Sequence, residues 1–531
     1  MRIRLLLVVM ILMTLLPGRR AYAVDCSALA NAIIPSARVT SAALVAEGPF
    51  DIPANGPMPA EQMMLPSFCR VQGTAAPRIG FELWLPAQHW NGRLLSLGNG
   101  GFGGSIDLRP LATYLRKGYA VTANDTGHTG SGTAWMHDPK ALLAWGHDAT
   151  HLVAGPAKSL VRAYYGKPQA YAYFQGCSTG GAQAMEEAEF YPEDFDGIVA
   201  ESPGMYYSHL MLSFLWGLKS AHDHAMLSEA KLQLLHRAVL KKCGGDDGLK
   251  DGLLARPLAC HIRPEDLVCK QGQHESCLTP EEAKTAELIY QGPRNPHTGE
   301  QIYPGFVPGS EAGSAFTGKT TAANRLMLNG WTLIQGPLAE QFAVPLLKNM
   351  VFGKDWDWTT FDWDHDVTLI DAVLGGKIDA MDSDLRPFEK AGGKLVMVQG
   401  WDDPLNAATL PIEYRREVIA AFSRSMSQEA AIHAVDGFFR LFMAPGMSHC
   451  LGGDGPSKVD ALGAMTKWVE QDRPPAQLIA TKVQMPSGKP AKPLMRRPLC
   501  PYPSYARYIG GDPNQPQSFR CVAPDASTTS H

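Results

Sequence analysis

The residues best placed to do chemistry surround Ser178, in Gly176-Cys177-Ser178-Thr179-Gly180. An apolar run, Ala170 to Phe174, precedes it, and a stretch rich in Ala, Met and Glu follows. G-x-S-x-G between a strand and a helix describes a nucleophile elbow, a tight turn that lifts the hydroxyl clear of a sheet. The flanking glycines remove side chains that would collide in the turn, and the following helix N-terminus favours negative charge nearby. A serine needs a base, and the base needs an orienter. In the order Ser, acid, His, Asp403 and His449 fill those roles. With 16 histidines in the chain, a downstream His alone carries little weight. Its neighbour singles it out: Cys450 follows His449 as Cys177 precedes Ser178. A disulfide between them would hold their Cα atoms about 4.4–6.8 Å apart and keep Ser178 beside His449. For the acid, Asp402 and Asp403 compete. Asp403 is preferred because it precedes Pro404, which holds it extended and its carboxylate consistently aimed. An oxyanion would take one backbone N–H from Thr179 and one from Gly98-Asn99-Gly100-Gly101, with Gly101 the first choice and Gly100 the alternative.

These residues must be positioned by something, and short apolar runs ending in Gly-rich or polar turns supply it. Leu94 to Leu97, Tyr119 to Ala123, Ala170 to Phe174, Gly197 to Ala200, Leu395 to Val398 and Phe438 to Met443 read as buried strands. Alternating with helices, they predict an α/β fold, an α/β-hydrolase core with a mostly parallel sheet. Each candidate residue follows one of these strands, where such sheets gather their sites. From about Met205 to Arg386 the rhythm fades. Thr279-Pro280-Glu281-Glu282 reads as a helix start, with Thr as N-cap, Pro at N1 and Glu at N3. A Pro/Gly-rich stretch (Gly292 to Gly313) and an aromatic, acidic one (Asp355 to Asp366) follow. This predicts a large inserted lid domain, residues 206–385, splitting the core into residues 24–205 and 386–531.

The chain has 531 residues, 45% hydrophobic and 19% charged, with formal net charge −4. That is a globular profile with no basic field for nucleic acid. Arg2 and Arg4, the apolar run Leu5 to Leu16, and Ala21-Tyr22-Ala23 predict a signal peptide over residues 1–23. Export to the periplasm or medium is therefore expected, with no membrane contact after cleavage. Ten cysteines behind such a leader suggest five disulfides. The absence of a C-x-x-C pair argues against cysteine–metal sites.

Taken together, these residues resemble the tannase and feruloyl esterase family. The match rests on Gly176-Cys177-Ser178-Thr179-Gly180-Gly181, Gly400-Trp401-Asp402-Asp403-Pro404-Leu405 and Gly446-Met447-Ser448-His449-Cys450. Trp90-Asn91-Gly92-Arg93, the Gly98–Gly104 loop, Asp125-Thr126-Gly127-His128 and Phe195-Asp196-Gly197-Ile198-Val199-Ala200 extend it over nearly the whole mature chain. The resemblance implies a triad of Ser178, Asp403 and His449 with a Cys177–Cys450 bond. It implies the further pairs Cys26–Cys69, Cys243–Cys260, Cys269–Cys277 and Cys500–Cys521. It also implies a structural calcium in the lid and no organic cofactor. Of the calcium pattern C-D-x-x-D-G-V-x-D-G-I, Asp247 and Asp251 match as carboxylate ligands and Leu249 and Leu253 as carbonyl ligands. Gly244 stands where the first Asp would be.

The activity so implied is hydrolysis of esters of aromatic carboxylic acids (feruloyl, galloyl, hydroxycinnamoyl) through an acyl-enzyme. One branch of the family acts instead on mono(2-hydroxyethyl) terephthalate. A non-catalytic binding protein on a hydrolase scaffold is a more remote reading, as is acyl transfer to another acceptor. Trp331, Phe342, Trp356, Trp358, Phe361 and Trp363 are candidates for an aromatic pocket, each also able to serve as lid core, and Arg325 for meeting a substrate carboxylate. The expected partner is a small aromatic ester; no feature specifies an oligomeric state.

Overall fold

The structure, a computed structural model, describes residues 25–55, 59–75, 78–130, 132–273, 275–312, 330–483 and 493–524. The signal-peptide reading and Arg325 lie outside the described residues.

Nine strands form the central sheet: β1 (Ala37–Val45), β2 (Phe68–Ala75), β3 (Ile79–Pro86), β4 (Arg93–Leu97), β5 (Ala120–Asn124), β6 (Tyr171–Cys177), β7 (Gly197–Glu201), β8 (Lys394–Gly400) and β9 (Phe439–Ala444). Their spatial order is β1-β2-β3-β5-β4-β6-β7-β8-β9. Pairings from β5 through β9 are parallel; β1, β2 and β3 add an antiparallel flank. This is an α/β-hydrolase-type sheet, mostly parallel, with helices on both faces.

The parallel strands are largely apolar because both faces are covered. In β8 every residue after Lys394 is buried. Leu94 faces one core with Ala157 and Val161 of helix Ala149–Tyr165. Its neighbour Leu95 faces another with Met465 and Trp468 of helix Ala461–Gln471. That alternation is the period of two expected of a strand.

Between β7 and β8 the chain leaves the sheet and runs mainly through helices, among them Tyr207–Asp223, Glu229–Cys243 and Pro280–Gln291. The last begins with the capping box expected at Thr279, whose hydroxyl accepts from Glu282 N while Glu282 accepts from Thr279 N. The two ends of this insertion meet at a Tyr206–Asp379 bridge, where Asp379 accepts from Ser208 N at 2.8 Å and Ser208 Oγ at 2.6 Å. The disulfides are Cys26–Cys69, Cys177–Cys450, Cys243–Cys260, Cys269–Cys277 and Cys500–Cys521. Among the described residues no helix is long and apolar enough to cross a membrane.

Candidate active site

β6 ends in the turn that carries Ser178, whose φ of 63° and ψ of −122° lie where an L-residue is strained. The surroundings enforce it. Ser178 N–H donates to Glu201 O of β7 at 3.0 Å, and Ser178 O accepts from Gly204 N at 3.1 Å. A Cβ on Gly176 would stand 2.2 Å from Gly180 O, so the two motif glycines are required by their mutual approach. Helix Thr179–Phe190 starts immediately after. Ser178 is partly exposed, and its hydroxyl makes no hydrogen bond among the described residues.

β8 and β9 deliver the other two groups. His449 Nδ1 lies 3.1 Å and 3.0 Å from the Asp403 carboxylate oxygens, both side chains being buried. Asp403 also accepts from Leu405 N (2.9 Å), Asn406 N (3.0 Å) and Gln399 Nε2 (3.1 Å). Burial pushes its pKa up, but the charge and hydrogen bond of His449 and the two backbone amides outweigh that and hold it below the ordinary value. The disulfide Cys177–Cys450 then brings the Ser178 and His449 turns together, with Cα atoms 5.9 Å apart. The His449 imidazole bonds Asp403 and not Asp402 among the described residues. The Asp402 carboxyl lies near Gly309 of the insertion, and burial, with Glu311 and Asp454 adding and His236 opposing, raises its pKa to about 8.

The Gly98–Gly104 loop is seated on the helix that follows Ser178. Gly180 N donates to Asn99 O at 2.7 Å, Asn99 N to Gln183 Oε1 at 2.9 Å, and Thr179 Oγ1 to Gly101 O at 2.7 Å. Thr179 and Gly101 are thus adjacent, with Gly101 at φ +55°. Phe342, from the insertion, covers this point: its ring would meet a Cβ on Gly101 at 3.4 Å. Phe102 lies 5.2 Å from Phe342 and 5.9 Å from Trp145, and Trp145 lies 4.9 Å from Tyr207. A cavity of about 880 Å³ opens here, lined by the glycine loop, Cys177, Glu201 and Phe342. Of the six aromatic candidates in the insertion, Phe342 is the one at the glycine loop. Trp331 packs on Tyr290 at 4.6 Å, while Phe361 and Trp363 pack together at 4.7 Å and Phe361 lies 6.3 Å from Trp356; Trp358 lies beside His222.

Such a serine turn, a glycine loop and a buried acid–histidine pair occur together in several hydrolase lineages; the family is decided by the match along the chain. Residues 64–522 fit the family model described as "Tannase and feruloyl esterase". The chain belongs to that family. This esterase is 34% identical over 536 aligned residues to an uncharacterized esterase of Xanthomonas campestris pv. campestris, covering 94% of this chain and 91% of the relative. It is 30% identical to a probable feruloyl esterase B-1 of Aspergillus flavus over 87% of each. The crystal structure of feruloyl esterase B from Aspergillus oryzae superposes with a TM-score of 0.81 at 26% identity, covering 94% of this chain and 99% of that one. The protein is a carboxylic ester hydrolase.

Sequence reasoning missed three residues that support the candidate site. Gln399 supports Asp403 from inside β8, Asn406 donates its Nδ2 to Ser202 O at 2.5 Å, and Ser202 Oγ accepts from Cys450 N at 3.2 Å. Gln399 was detectable: it is a lone amide closing an apolar strand, four residues before Asp403. The stretch matched to a calcium loop lies elsewhere, after helix Glu229–Cys243. There Asp247 Oδ1 accepts from Leu249 N at 2.9 Å, and Asp251 accepts from Leu253 N at 3.2 Å and Arg497 Nη2 at 2.8 Å.

Proposed function

We propose that this esterase is exported and hydrolyses esters of aromatic carboxylic acids, of the feruloyl, galloyl or hydroxycinnamoyl kind, with Ser178, His449 and Asp403 as its triad. The observation that carries the reading is the Cys177–Cys450 bond, which fastens the serine turn to a histidine already bonded to a buried acid. Asp403 holds the imidazole by Nδ1–H, leaving Nε2 to take the Ser178 proton. Ser178 Oγ attacks the acyl carbon, and the oxyanion is met by the Thr179 and Gly101 amides. Collapse expels the alcohol, which takes the proton from His449. Water, deprotonated by the same imidazole, then releases the acid from Ser178. An aromatic acyl group finds Phe342 and Phe102 beside the oxyanion amides. Export is supported by the leader-like N-terminus and the five disulfides.

Two measurements test this. A fluorophosphonate probe should label the wild type and not Ser178→Ala; unchanged ester hydrolysis by Ser178→Ala would overturn the assignment. Values of kcat/KM on methyl ferulate, methyl gallate, chlorogenate and mono(2-hydroxyethyl) terephthalate should favour one of the first three. A clear preference for the terephthalate ester would replace the substrate class and leave the triad standing.

A further inference from the structure

We propose that Arg497 is the built-in cation of the Asp246–Leu253 loop, so that this chain holds with a guanidinium what the family resemblance implies a calcium would hold. The residues present do not suit calcium, which takes six to eight oxygens. At the first ligand position, Gly244 has no room for a carboxylate: a Cβ there would lie 2.4 Å from Leu240 O. Asp246, the one nearby acid to substitute, spends both oxygens on Ala255 N (3.3 Å) and Arg256 N (2.7 Å). The Asp247 carbonyl accepts from Tyr508 N at 2.9 Å. Among the described residues no three His, Cys, Asp or Glu side chains gather as a metal cluster.

Arg497 occupies the vicinity instead. It lies on strand Pro493–Leu499, which pairs with strand Leu478–Val483, and its side chain is only 8% exposed. Nε donates to Pro513 O at 2.7 Å, the guanidinium carbon sits 4.3 Å from the Phe519 ring centroid, and Nη2 reaches Asp251 Oδ2 at 2.8 Å. A guanidinium this deeply buried requires an acid partner, and Asp251 is the partner it has. Its planar fork suits a carboxylate better than a lysine would. The ion pair ties the insertion to strand Pro493–Leu499, and Arg497's contacts with Pro513 and Phe519 carry that tie to the C-terminal hairpin, Tyr505–Tyr508 with Phe519–Val522, joined to Cys500 by the Cys500–Cys521 disulfide. A calcium ion on Asp251 would have to share that one carboxylate with Arg497 and set its own charge beside a buried guanidinium.

The test needs no assay of activity and is independent of the catalytic reading. Purified full-chain enzyme is analysed for calcium and melted with EDTA and with millimolar CaCl2. The expected result is no stoichiometric calcium and an unchanged Tm in both. One calcium per chain, or a Tm several degrees higher with CaCl2, overturns the proposal, because a ligand that binds the folded state must raise its stability. Arg497→Met should lower Tm, and an unchanged Tm in that variant also overturns it. Should Arg497→Met not fold, Asp251→Asn reads the same ion pair from the other side, and the wild-type calcium measurement stands regardless.

Discussion

Two turns of this esterase are fastened by residues far away in sequence, and they use the fastening differently. The His449 turn is bound to the Ser178 turn by Cys177–Cys450, across 273 residues. The Asp247–Asp251 loop is bound to the C-terminal region by Arg497, across 246. Each is also joined to a carboxylate pairing: His449 meets Asp403, from the turn after β8, and Asp251 meets Arg497. Asp403 is completed by two amides and Gln399, and is aimed at an imidazole that changes its charge in the proposed mechanism. Asp251 is aimed at a guanidinium that never does. On the proposed readings the first arrangement prepares a proton transfer, whereas the second only closes a structure.

The largest expected effect separates the two acids. Asp403→Asn should lower kcat by about 10⁴-fold, since the amide no longer enforces the imidazole tautomer. Its Tm should change far less than that of Asp251→Asn, which should keep near-wild-type kcat. Steady-state kinetics and thermal melts of the pair decide it. Equal loss of kcat in both would break the comparison.

Next in size is the covalent fastening itself. Cys177→Ala with Cys450→Ala should cost up to about 5 kcal/mol of stability on the chain-entropy account. Below the new Tm, kcat should still fall, by roughly 100-fold, because the serine and the imidazole lose their common anchor. Denaturant melts and kinetics on the same preparation check this. Full kcat in a destabilised double variant would mean the bond serves stability alone, as Arg497 does.

The acid adjoining Asp403 gives a smaller, pH-dependent effect. Asp402 has a folded pKa raised to about 8, mainly by burial, among His236, Glu311 and Asp454. The folded state therefore binds more protons than the unfolded chain between about pH 4 and pH 8. Its contribution to stability is then greatest at the acid end and declines as pH rises through that window. Asp402→Asn should flatten the decline and be more stable than wild type at pH 8, by at least about 1 kcal/mol. Melts from pH 5 to 8 read this directly; a steeper decline in the variant would contradict it.

How much of this was legible beforehand follows from the kind of signal each part carries. The strands at residues 93–97, 120–124, 171–177, 197–201, 394–400 and 439–444 stand out because burial on both faces makes them mostly apolar, with polar residues mainly at their ends. The antiparallel flank does not. β1 lies at the sheet edge with one buried residue in nine, so its sequence shows little alternation. The grouping of Ser178, His449 and Asp403, the proposed triad, was readable because cysteines flank two of the three and a proline follows the third. Arg497 was not, since an arginine in a strand reads as a solvated side chain until the carboxylate 246 residues away is seen against it. Phe342 was one of six aromatics with equal standing in composition, and only tertiary packing separates the one over Gly101 from those in the insertion's own core.

That separation yields the smallest predicted effect. Phe342 covers the glycine loop from the insertion side and contacts Phe102, but donates and accepts nothing in the proton transfers. Phe342→Ala should raise KM for a methyl hydroxycinnamate about tenfold, the loss of one aromatic contact, with kcat changed less than threefold. Trp363→Ala, in the core of the insertion, should lower Tm instead, at little cost to KM. A short-chain aliphatic ester provides the control, because it has no ring to lose and its KM should respond little to Phe342→Ala. If both esters weaken equally, Phe342 acts by shaping the glycine loop through Gly101 rather than by meeting the acyl ring, which would tie the insertion to catalysis through the oxyanion amides.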